Sequence, residues 1–323
     1  MVPNGDSTST AATSVPKMHA DEIETSAALV RQLLAEQFPQ WADLPITPVP
    51  SSGTDNAMFR VGDDLAVRMP RIPGAAGQVA KEQMWLPRLA PHLPLAIPVP
   101  VAQGAPSDAF PLSWSILHWL PGEPAQPERL TDLPQAATDL AHFLTALQRI
   151  DTTGGPLPGG HNSGRGVPLH TRDEYTRTNI DACHELGILN RDAALSVWEA
   201  ALAAGVWEAP GVWLHGDLLA NNLLATDGHL SAVIDFGCMG VGDPACDLMP
   251  AWTTYNTPEA RSAFRAALPA PLAADDAAWA RGRAWSVSTS VIAIPYYIVT
   301  NPTLANTGRA TLAAVFEDVG LGE

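Results

Sequence analysis

The spacing of apolar residues divides the chain into a strand-rich first part and a helix-rich second part. Apolar side chains recur at helical intervals over residues 20–38, which predicts a first helix. Residues 46–70 read as paired strands, with a Gly-Asp-Asp hairpin connection at residues 62–64. A second helix is predicted over residues 78–89, and an apolar strand over residues 112–120.

A Pro-Gly-Glu-Pro sequence at residues 121–124 interrupts this pattern and predicts a boundary between two lobes. The elements predicted beyond it are mostly helices, over residues 133–150, about 170–185 and about 190–205 and from residue 243 to the end, with short strands around Trp213 and over residues 230–234. Residues 1–20 are rich in Ser, Thr, Ala and Pro and are predicted to be a disordered tail. The predicted domains are therefore the tail, a lobe of residues 21–120 and a lobe of residues 121–323. This predicts an α+β fold with two unequal lobes.

Polar residues that can carry chemistry concentrate between Trp213 and Ala251. His215-Gly216-Asp217 follows a short strand, which predicts the Asp217 carboxylate on an exposed loop. A tight hairpin from Asn222 to Asp235 brings two oxygen-bearing side chains to the same end of a ribbon. Such a pair, without a nearby His or Cys cluster, suits Mg²⁺. Asp217 then faces the same point and can accept a proton from a hydroxyl nucleophile.

These residues carry a resemblance to a known family. The sequence H-G-D-x-x-x-x-N followed by I-D-F-G resembles the aminoglycoside phosphotransferase family, whose fold is similar to that of protein kinases. The resemblance runs from Leu44 to Asp318, and residues 213–251 are its specific part. It implies a protein-kinase-like fold, with a small β-rich N-terminal lobe and a larger, mostly helical C-terminal lobe. It also implies that Asp217 is the catalytic base and that Asn222 and Asp235 hold the Mg²⁺ ions that bridge the phosphates of ATP.

The resemblance also implies phosphate-binding residues in the N-terminal lobe. Arg68 stands where kinases have the lysine of the V-A-I-K strand, and Glu82 matches the helix glutamate that orients that cation. An arginine can contact two phosphate oxygens at once, but its fork is bulkier than a lysine ammonium. Ser52 and Thr54 belong to the candidate loop that covers the phosphates.

Further motif positions predict an adenine slot and two supporting residues. Ala66 is predicted above the adenine, with Leu224 and Ile234 below it. The hinge that offers backbone groups to the base is predicted at His118, Trp119 and Leu120. His215 is predicted to hold the catalytic loop through the backbone, and Asp247 resembles the buried aspartate that braces this loop in kinase-like folds. Asp243, before a proline, is predicted to be a helix N-cap.

The amino-acid composition limits the classes of partner that the protein is expected to bind. The chain has 323 residues, with 18 basic and 34 acidic side chains and a net charge of −16. This surplus disfavours nucleic acids and anionic lipids and favours a cationic substrate. Three cysteines without a CxxC pair, and the absence of a signal sequence or a long apolar stretch, predict a cytoplasmic protein. No His spacing suggests zinc. No oligomeric state is predicted.

The predicted function is ATP-dependent phosphorylation of an aminoglycoside hydroxyl, with GTP as the alternative donor. Candidate carboxylates for the cationic acceptor are Asp173, Glu174, Asp181 and Glu259. His161, Asn162 and Arg165 of a Gly-rich loop are candidates for the acceptor pocket, although loop packing explains them equally well.

Three other functions share the signature. A macrolide phosphotransferase is the nearest, because the sequence Arg68-Met69-Pro70-Arg71 is similar to that of macrolide enzymes. An apolar acceptor wall for it is predicted from Trp285, Ile294, Tyr296 and Tyr297. A kinase of choline, homoserine or a sugar is the second. A nucleotide-binding pseudokinase is the third; the arginine at position 68 favours it, and the intact set of Asp217, Asn222 and Asp235 opposes it.

Overall fold

The structure is a computed structural model that describes residues 22–50 and 55–322. The predicted tail and the predicted phosphate-loop residues Ser52 and Thr54 lie outside these ranges. The described chain divides into two compact units. The smaller contains the described residues up to Val79 together with residues 101–119, and the larger contains residues 80–100 and those from Leu120 onward. The chain passes between the units three times, and the boundary predicted after residue 120 lies one residue beyond the last of these points. Residues 80–100 group with the helical unit.

The smaller unit is built on an antiparallel sheet with the strand order β1-β2-β3-β5-β4. Its strands are β1 Ile46–Val49, β2 Asn56–Val61, β3 Leu65–Pro70, β4 Pro100–Gly104 and β5 Trp114–His118. The predicted hairpin is present, with Val61 opposite Leu65 and Gly62 in the left-handed region at φ 60°. Helix α1, Ala27–Gln37, begins later than the sequence predicts because the Ser26 hydroxyl caps it by accepting a hydrogen bond from the Leu29 amide.

Three buried aromatic side chains, Phe59, Phe110 and Trp114, pack with the apolar face of α1 in the core of the smaller unit. Phe59 and Trp114 are fully buried in a cluster that includes Val30, Leu33 and Leu34 of the helix. Trp114 lies so close to the β4 backbone that a Cβ at Gly104 would stand 1.9 Å from its Cε2 atom. Glycine is therefore required at position 104 by close packing.

Helix α2, Ala76–Leu89, begins in the smaller unit and continues into the larger one. The larger unit is mostly helical. Its helices are α3 Leu133–Gln148, α4 Asp173–Glu185, α5 Arg191–Ala203, α6 Pro250–Thr253, α7 Pro258–Ala267, α8 Ala270–Ala274, α9 Asp276–Tyr297 and α10 Pro302–Asp318. Helix α9 is buried on several faces and packs against α4, α5 and α10. No helix in the described part of the chain is long and apolar enough to cross a membrane.

Short strands carry the polar segment of the larger unit. They are β6 Glu123–Pro124, β7 Val212–Leu214, β8 Leu223–Thr226, β9 His229–Val233 and β10 Gly240–Gly242. Strands β8 and β9 form the predicted hairpin, and its two connecting residues, Asp227 and Gly228, both have positive φ, at 52° and 79°. A two-residue connection of this kind matches the right-handed twist of the strands that it joins. Strand β10 pairs with β7, which places the segments after Leu214 and before Gly240 side by side.

The close approach of Trp114 to Gly104 gives a stability prediction. Replacing Gly104 with alanine forces the indole or the strand to shift, and we expect a loss of about 1–3 kcal/mol in the free energy of unfolding, measured by urea denaturation. Gly77→Ala is the control, because nothing lies within 4 Å of a Cβ at that helical position and alanine favours helix. Equal stability of the two variants would contradict the packing argument.

Candidate active site

The loop after β7 is held by one buried carboxylate. Asp247 is fully buried, and its two oxygens accept hydrogen bonds from consecutive backbone amides, those of His215 and Gly216, both at 2.7 Å. Burial raises the pKa of Asp247 above its usual value, against the opposing effects of His215 and of these two amides. The geometry is that of a brace: both oxygens of the carboxylate hold the loop backbone.

The brace is itself anchored to the central helix. Asp247 lies on the short 3₁₀ helix Pro244–Leu248, whose N-cap is Asp243 through a hydrogen bond from the Ala245 amide. The Asp243 carboxylate also forms a buried ion pair with Arg281 of α9, at 2.7 Å. The N-cap expected from Gly-Asp-Pro is thus present, and a buried ion pair, which the sequence did not indicate, ties this turn to the helical core.

His215 is buried and structural in its contacts. Its Nδ1 atom accepts a hydrogen bond from the Asp217 amide at 3.1 Å, so Nε2 carries the proton and donates to the Ile234 carbonyl at 3.0 Å. Burial lowers the pKa of His215, although Asp247 opposes that effect, and a neutral ring agrees with the donor and acceptor pattern. The imidazole thus links the loop that carries Asp217 to the end of β9.

Asp217 and Asn222 are in direct contact. The Asn222 amide nitrogen donates to the Asp217 backbone carbonyl at 2.8 Å and to the Asp217 Oδ2 atom at 2.9 Å. The backbone carbonyl of Asn222 also accepts a hydrogen bond from the Ile234 amide at 2.8 Å. Because Asp235 is the next residue after Ile234, the three polar residues singled out in the sequence lie on two adjoining backbone segments.

Asp235 has an unusual backbone conformation. Its φ of 62° lies in the left-handed region. Residues other than glycine rarely adopt this conformation, and those that do are most often Asn or Asp. The carboxylate accepts a hydrogen bond of 3.4 Å from the Gly237 amide at the start of a short turn over Phe236–Cys238. Backbone conformations of this kind are often found at functional sites.

Arg165 approaches Asp217 from the Gly-rich loop. Its Nε atom donates to the Gly216 carbonyl at 2.8 Å, and its Nη2 atom lies 3.6 Å from the Asp217 Oδ1 atom. Gly216 has φ 82°, and a Cβ there would lie 2.7 Å from the Cys238 carbonyl, so only glycine fits. Burial raises the pKa of the Cys238 thiol to about 12, which keeps it neutral beside these carboxylates.

The donor set fits a hard divalent cation with few protein ligands. Both contacts of the Asn222 amide nitrogen go to Asp217, and no described residue donates a hydrogen bond to the Asn222 side-chain oxygen. Within the described ranges, no three His, Cys, Asp or Glu side chains form a metal-binding group. An amide oxygen and a carboxylate, without histidine or thiolate, match Mg²⁺, which keeps water and phosphate ligands. Asn222 and Asp235 are therefore the residues that would hold it.

The predicted phosphate-binding residues lie in different units. Arg68 is buried in β3 of the smaller unit, where its Nη2 atom donates to the side-chain oxygen of Gln78 at 3.2 Å. Glu82 is buried on the part of α2 that belongs to the larger unit. Their roles toward phosphate remain predictions.

The predicted adenine contacts are likewise divided between the units. Ala66, His118 and Trp119 belong to the smaller unit, and Leu120, Leu224 and Ile234 to the larger. The Trp119 amide already donates to the Asp64 carbonyl at 2.8 Å, and the Trp119 ring stacks with the Arg60 guanidinium. Trp119 would therefore contribute its carbonyl, rather than its amide, to a hinge.

Two of the four carboxylates proposed for a cationic acceptor have structural partners. Asp173 accepts hydrogen bonds from Arg177 and from the indole of Trp198, and the latter contact is the main cause of the lowered pKa of Asp173. Asp181 pairs with Arg191 at 2.6 Å. Glu174 and Glu259 are exposed in the first turns of α4 and α7.

Lys81 is the residue at this site that sequence reasoning missed. It lies on α2 immediately before Glu82, and its ammonium reaches the backbone of the segment that follows Asp235. The one available signal was composition: the chain has two lysines among 18 basic residues. The other predicted loop residues have packing contacts, since Asn162 is buried and donates to the Arg165 carbonyl.

Comparison with known proteins identifies a family. Residues 46–285 match the model of a family described as the phosphotransferase enzyme family. A search of curated protein sequences gave no match.

Solved structures share the fold. Aminoglycoside 2'-phosphotransferase-IIIa, in its GDP complex, is 17% identical over 91% of this chain and 100% of that chain, with a TM-score of 0.73. The gentamicin complex of APH(2")-IIa is 19% identical over 90% and 96% of the two chains, with a TM-score of 0.57. Macrolide 2'-phosphotransferase MphH from Brachybacterium faecium is 24% identical over 88% and 97%, also with a TM-score of 0.57. At these identities the similarity establishes the fold, which is the predicted two-lobed, protein-kinase-like α+β class.

The brace around Asp247 gives a prediction for stability. In Asp247→Asn an amide group replaces one acceptor oxygen and meets a backbone N–H, so we expect a loss of about 1–3 kcal/mol in the free energy of unfolding. Urea denaturation measures this loss. Asp181→Asn is the control, since its exposed ion pair contributes about 1 kcal/mol or less. A loss at position 247 no larger than that at position 181 would contradict the brace.

Proposed function

The chain belongs to the phosphotransferase enzyme family, whose members are kinase-type enzymes, and on that premise we propose that it transfers the γ-phosphoryl group of ATP to a hydroxyl of an antibiotic. The arrangement of Asp217, Asn222 and Asp235 on adjoining backbone segments is the observation that carries this proposal. It supplies a carboxylate for the acceptor hydroxyl beside two oxygen donors for a nucleotide-bound cation.

Asp217 acts on the acceptor. Its side chain is 28% exposed, and a hydrogen bond from Asn222 orients it. From this position one oxygen can receive the hydroxyl proton as the acceptor oxygen attacks the γ-phosphorus. The Arg165 guanidinium lies beside the Asp217 carboxylate and donates to the Gly216 carbonyl, so it helps to fix the position of the proposed base. Most of the rate comes from placement and charge neutralisation, because phosphoryl transfer needs little covalent work from the protein.

Asn222 and Asp235 are the residues that would hold the metal. A Mg²⁺ ion held there would neutralise the charge that develops on the phosphate oxygens of the nucleotide. The left-handed backbone of Asp235 and the Gly237 amide fix the direction of its carboxylate, while the contact with Asp217 fixes the Asn222 amide. The same asparagine thereby ties the metal-binding residues to the base. Arg68 and Glu82 are proposed as residues of the phosphate site, as the sequence predicts.

An aminoglycoside is the proposed acceptor. The net charge of −16 and the exposed carboxylates Glu174 and Glu259 support a substrate with several ammonium groups. Solved relatives in complex with kanamycin or gentamicin support the same class. A cytoplasmic location is proposed with it. The cytoplasm supplies ATP, and its reducing environment suits a protein with three free cysteines.

A macrolide is the second candidate, and exposed aromatic side chains favour it. Tyr296 at the end of α9 is 56% exposed and Tyr175 on α4 is 57% exposed. Asp173 and Asp181 are already paired, which removes two of the carboxylates expected for an aminoglycoside. A screen of both antibiotic classes and of small alcohols, read as the mass of a transferred phosphoryl group, discriminates between them. Transfer to choline, homoserine or a sugar alone would replace the antibiotic proposal, and transfer to no acceptor despite nucleotide binding would favour a pseudokinase.

Substitution of the proposed base separates chemistry from binding. In Asp217→Asn the side chain keeps its shape but cannot accept the proton, so we expect kcat to fall by about 10²–10⁴-fold. Nucleotide affinity, measured by calorimetry, should stay close to that of the unaltered protein. A variant that keeps most of its phosphorylation rate would refute the role of Asp217.

Substitution of the proposed metal ligand affects nucleotide binding itself. We expect Asp235→Ala to abolish the increase in ATP affinity that Mg²⁺ produces, because half of the protein ligand set is lost. Calorimetric titrations with and without Mg²⁺ measure this increase, and Asp181→Ala is the control for removal of a carboxylate. An unchanged response to Mg²⁺ would show that Asp235 does not hold the metal.

A further inference from the structure

Lys81 contacts two loops of the larger unit at once. It is the one lysine within residues 22–50 and 55–322, and it is partly buried on α2. Its Nζ atom donates to the Gly237 carbonyl at 2.7 Å and to the Met239 carbonyl at 3.1 Å. It also lies 3.3 Å from the His161 carbonyl and 3.2 Å from the His161 Nδ1 atom. These acceptors come from segments that are far apart in sequence.

The first two acceptors belong to the turn that fixes Asp235. The Gly237 amide donates to the Asp235 carboxylate, and the Met239 amide closes the turn by donating to the Phe236 carbonyl at 2.9 Å. Lys81 therefore binds the carbonyl of Gly237, whose amide donates to Asp235, the proposed metal ligand. It also binds the carbonyl of Met239 at the other end of the same turn. Rotation of the Gly237 peptide groups would disturb the direction of the Asp235 side chain.

The other acceptors belong to the loop that carries Arg165. The His161 Nε2 atom donates to the Leu157 carbonyl at 2.7 Å, so the ring is in the tautomer whose Nδ1 atom can accept from the ammonium. His161 lies on the 3₁₀ turn Gly160–Asn162, and the Arg165 amide donates to the Asn162 carbonyl at 3.1 Å. Arg165 then contacts Gly216 and Asp217. Through this loop Lys81 acts on the position of the proposed base.

We propose that Lys81 is a positioning residue that holds the turn after Asp235 and the Arg165 loop in register, and so couples the metal-binding and base-bearing segments of the active site. The proposal rests on the proposed function for its catalytic consequence. A lysine ammonium suits the position because it is compact and has three donors. The ammonium can donate hydrogen bonds to carbonyls of both segments because, unlike a guanidinium, its donors are not confined to one plane.

The test compares Lys81→Met with Arg88→Met. Arg88 lies on the same helix and stacks on Trp85, so the control also removes a positive charge and a long side chain from α2. For Lys81→Met we expect the Mg²⁺-dependent ATP affinity, measured by calorimetry, to fall by about 10-fold or more, as is common when a residue that orients metal ligands is lost. We expect kcat to fall with it, and Arg88→Met to change neither.

One further readout and one further variant distinguish the proposal from a general loss of folding and from failure of the proposed function. Hydrogen exchange of the nucleotide-free protein should accelerate at residues 236–241 and 160–166 in Lys81→Met but not in Arg88→Met, while exchange in α9 stays unchanged. Lys81→Arg retains a cation with several donors and should recover part of both the exchange protection and the Mg²⁺ response.

The outcomes separate the two hypotheses. Exchange and Mg²⁺ response that are equal in Lys81→Met and Arg88→Met would overturn the positioning role. So would accelerated exchange spread over the whole unit, since that indicates general destabilisation. If the unaltered protein phosphorylates no acceptor, the proposed function fails, whereas local exchange acceleration would still support the coupling by Lys81.

Discussion

The polar site depends on the buried carboxylate of Asp247, which accepts hydrogen bonds from the consecutive backbone amides of His215 and Gly216. A buried amide without an acceptor costs about 1–3 kcal/mol. A loop conformation that broke these two hydrogen bonds would therefore be less stable. The ion pair between Asp243 and Arg281 fixes the turn that carries the brace to α9. The loop after β7 thus takes its position from the helical core, and the position of Asp217 follows from that of the loop.

Around this brace, a neighbouring group orients each side chain of the proposed site. Asn222 donates to Asp217, the neutral ring of His215 connects the loop to β9, and the Gly237 amide faces Asp235. Side chains held in this way lose little freedom when substrate binds, which is how placement contributes to the rate of phosphoryl transfer. The proposed role of Lys81 extends the same principle, because its ammonium joins two segments that neither the hairpin nor the brace connects.

Sequence reasoning succeeded where the determining interactions are local. The hairpin between Asn222 and Asp235 follows from two strands and an Asp-Gly turn, and the resemblance of residues 213–251 led to the kinase-like fold that the family match and the solved structures support. The start of α1 was predicted too early because apolar spacing carries no information about the cap at Ser26. The contact of Lys81 with Gly237 and the ion pair of Arg281 with Asp243 could not be foreseen, since the partners lie 156 and 38 residues away in sequence. The roles assigned to Arg68, Glu82 and the adenine contacts remain predictions.

The central claim is that Asp217, Asn222 and Asp235 converge on one metal-bound triphosphate. The most direct measurement is a crystal structure with Mn²⁺ and a non-hydrolysable ATP analogue, in which anomalous scattering locates the metal. We predict a Mn²⁺ peak bonded to the Asn222 side-chain oxygen and to the Asp235 carboxylate, with the γ-phosphate beside Asp217. A metal bound elsewhere, or a triphosphate whose terminal phosphate lies away from Asp217, would contradict the account.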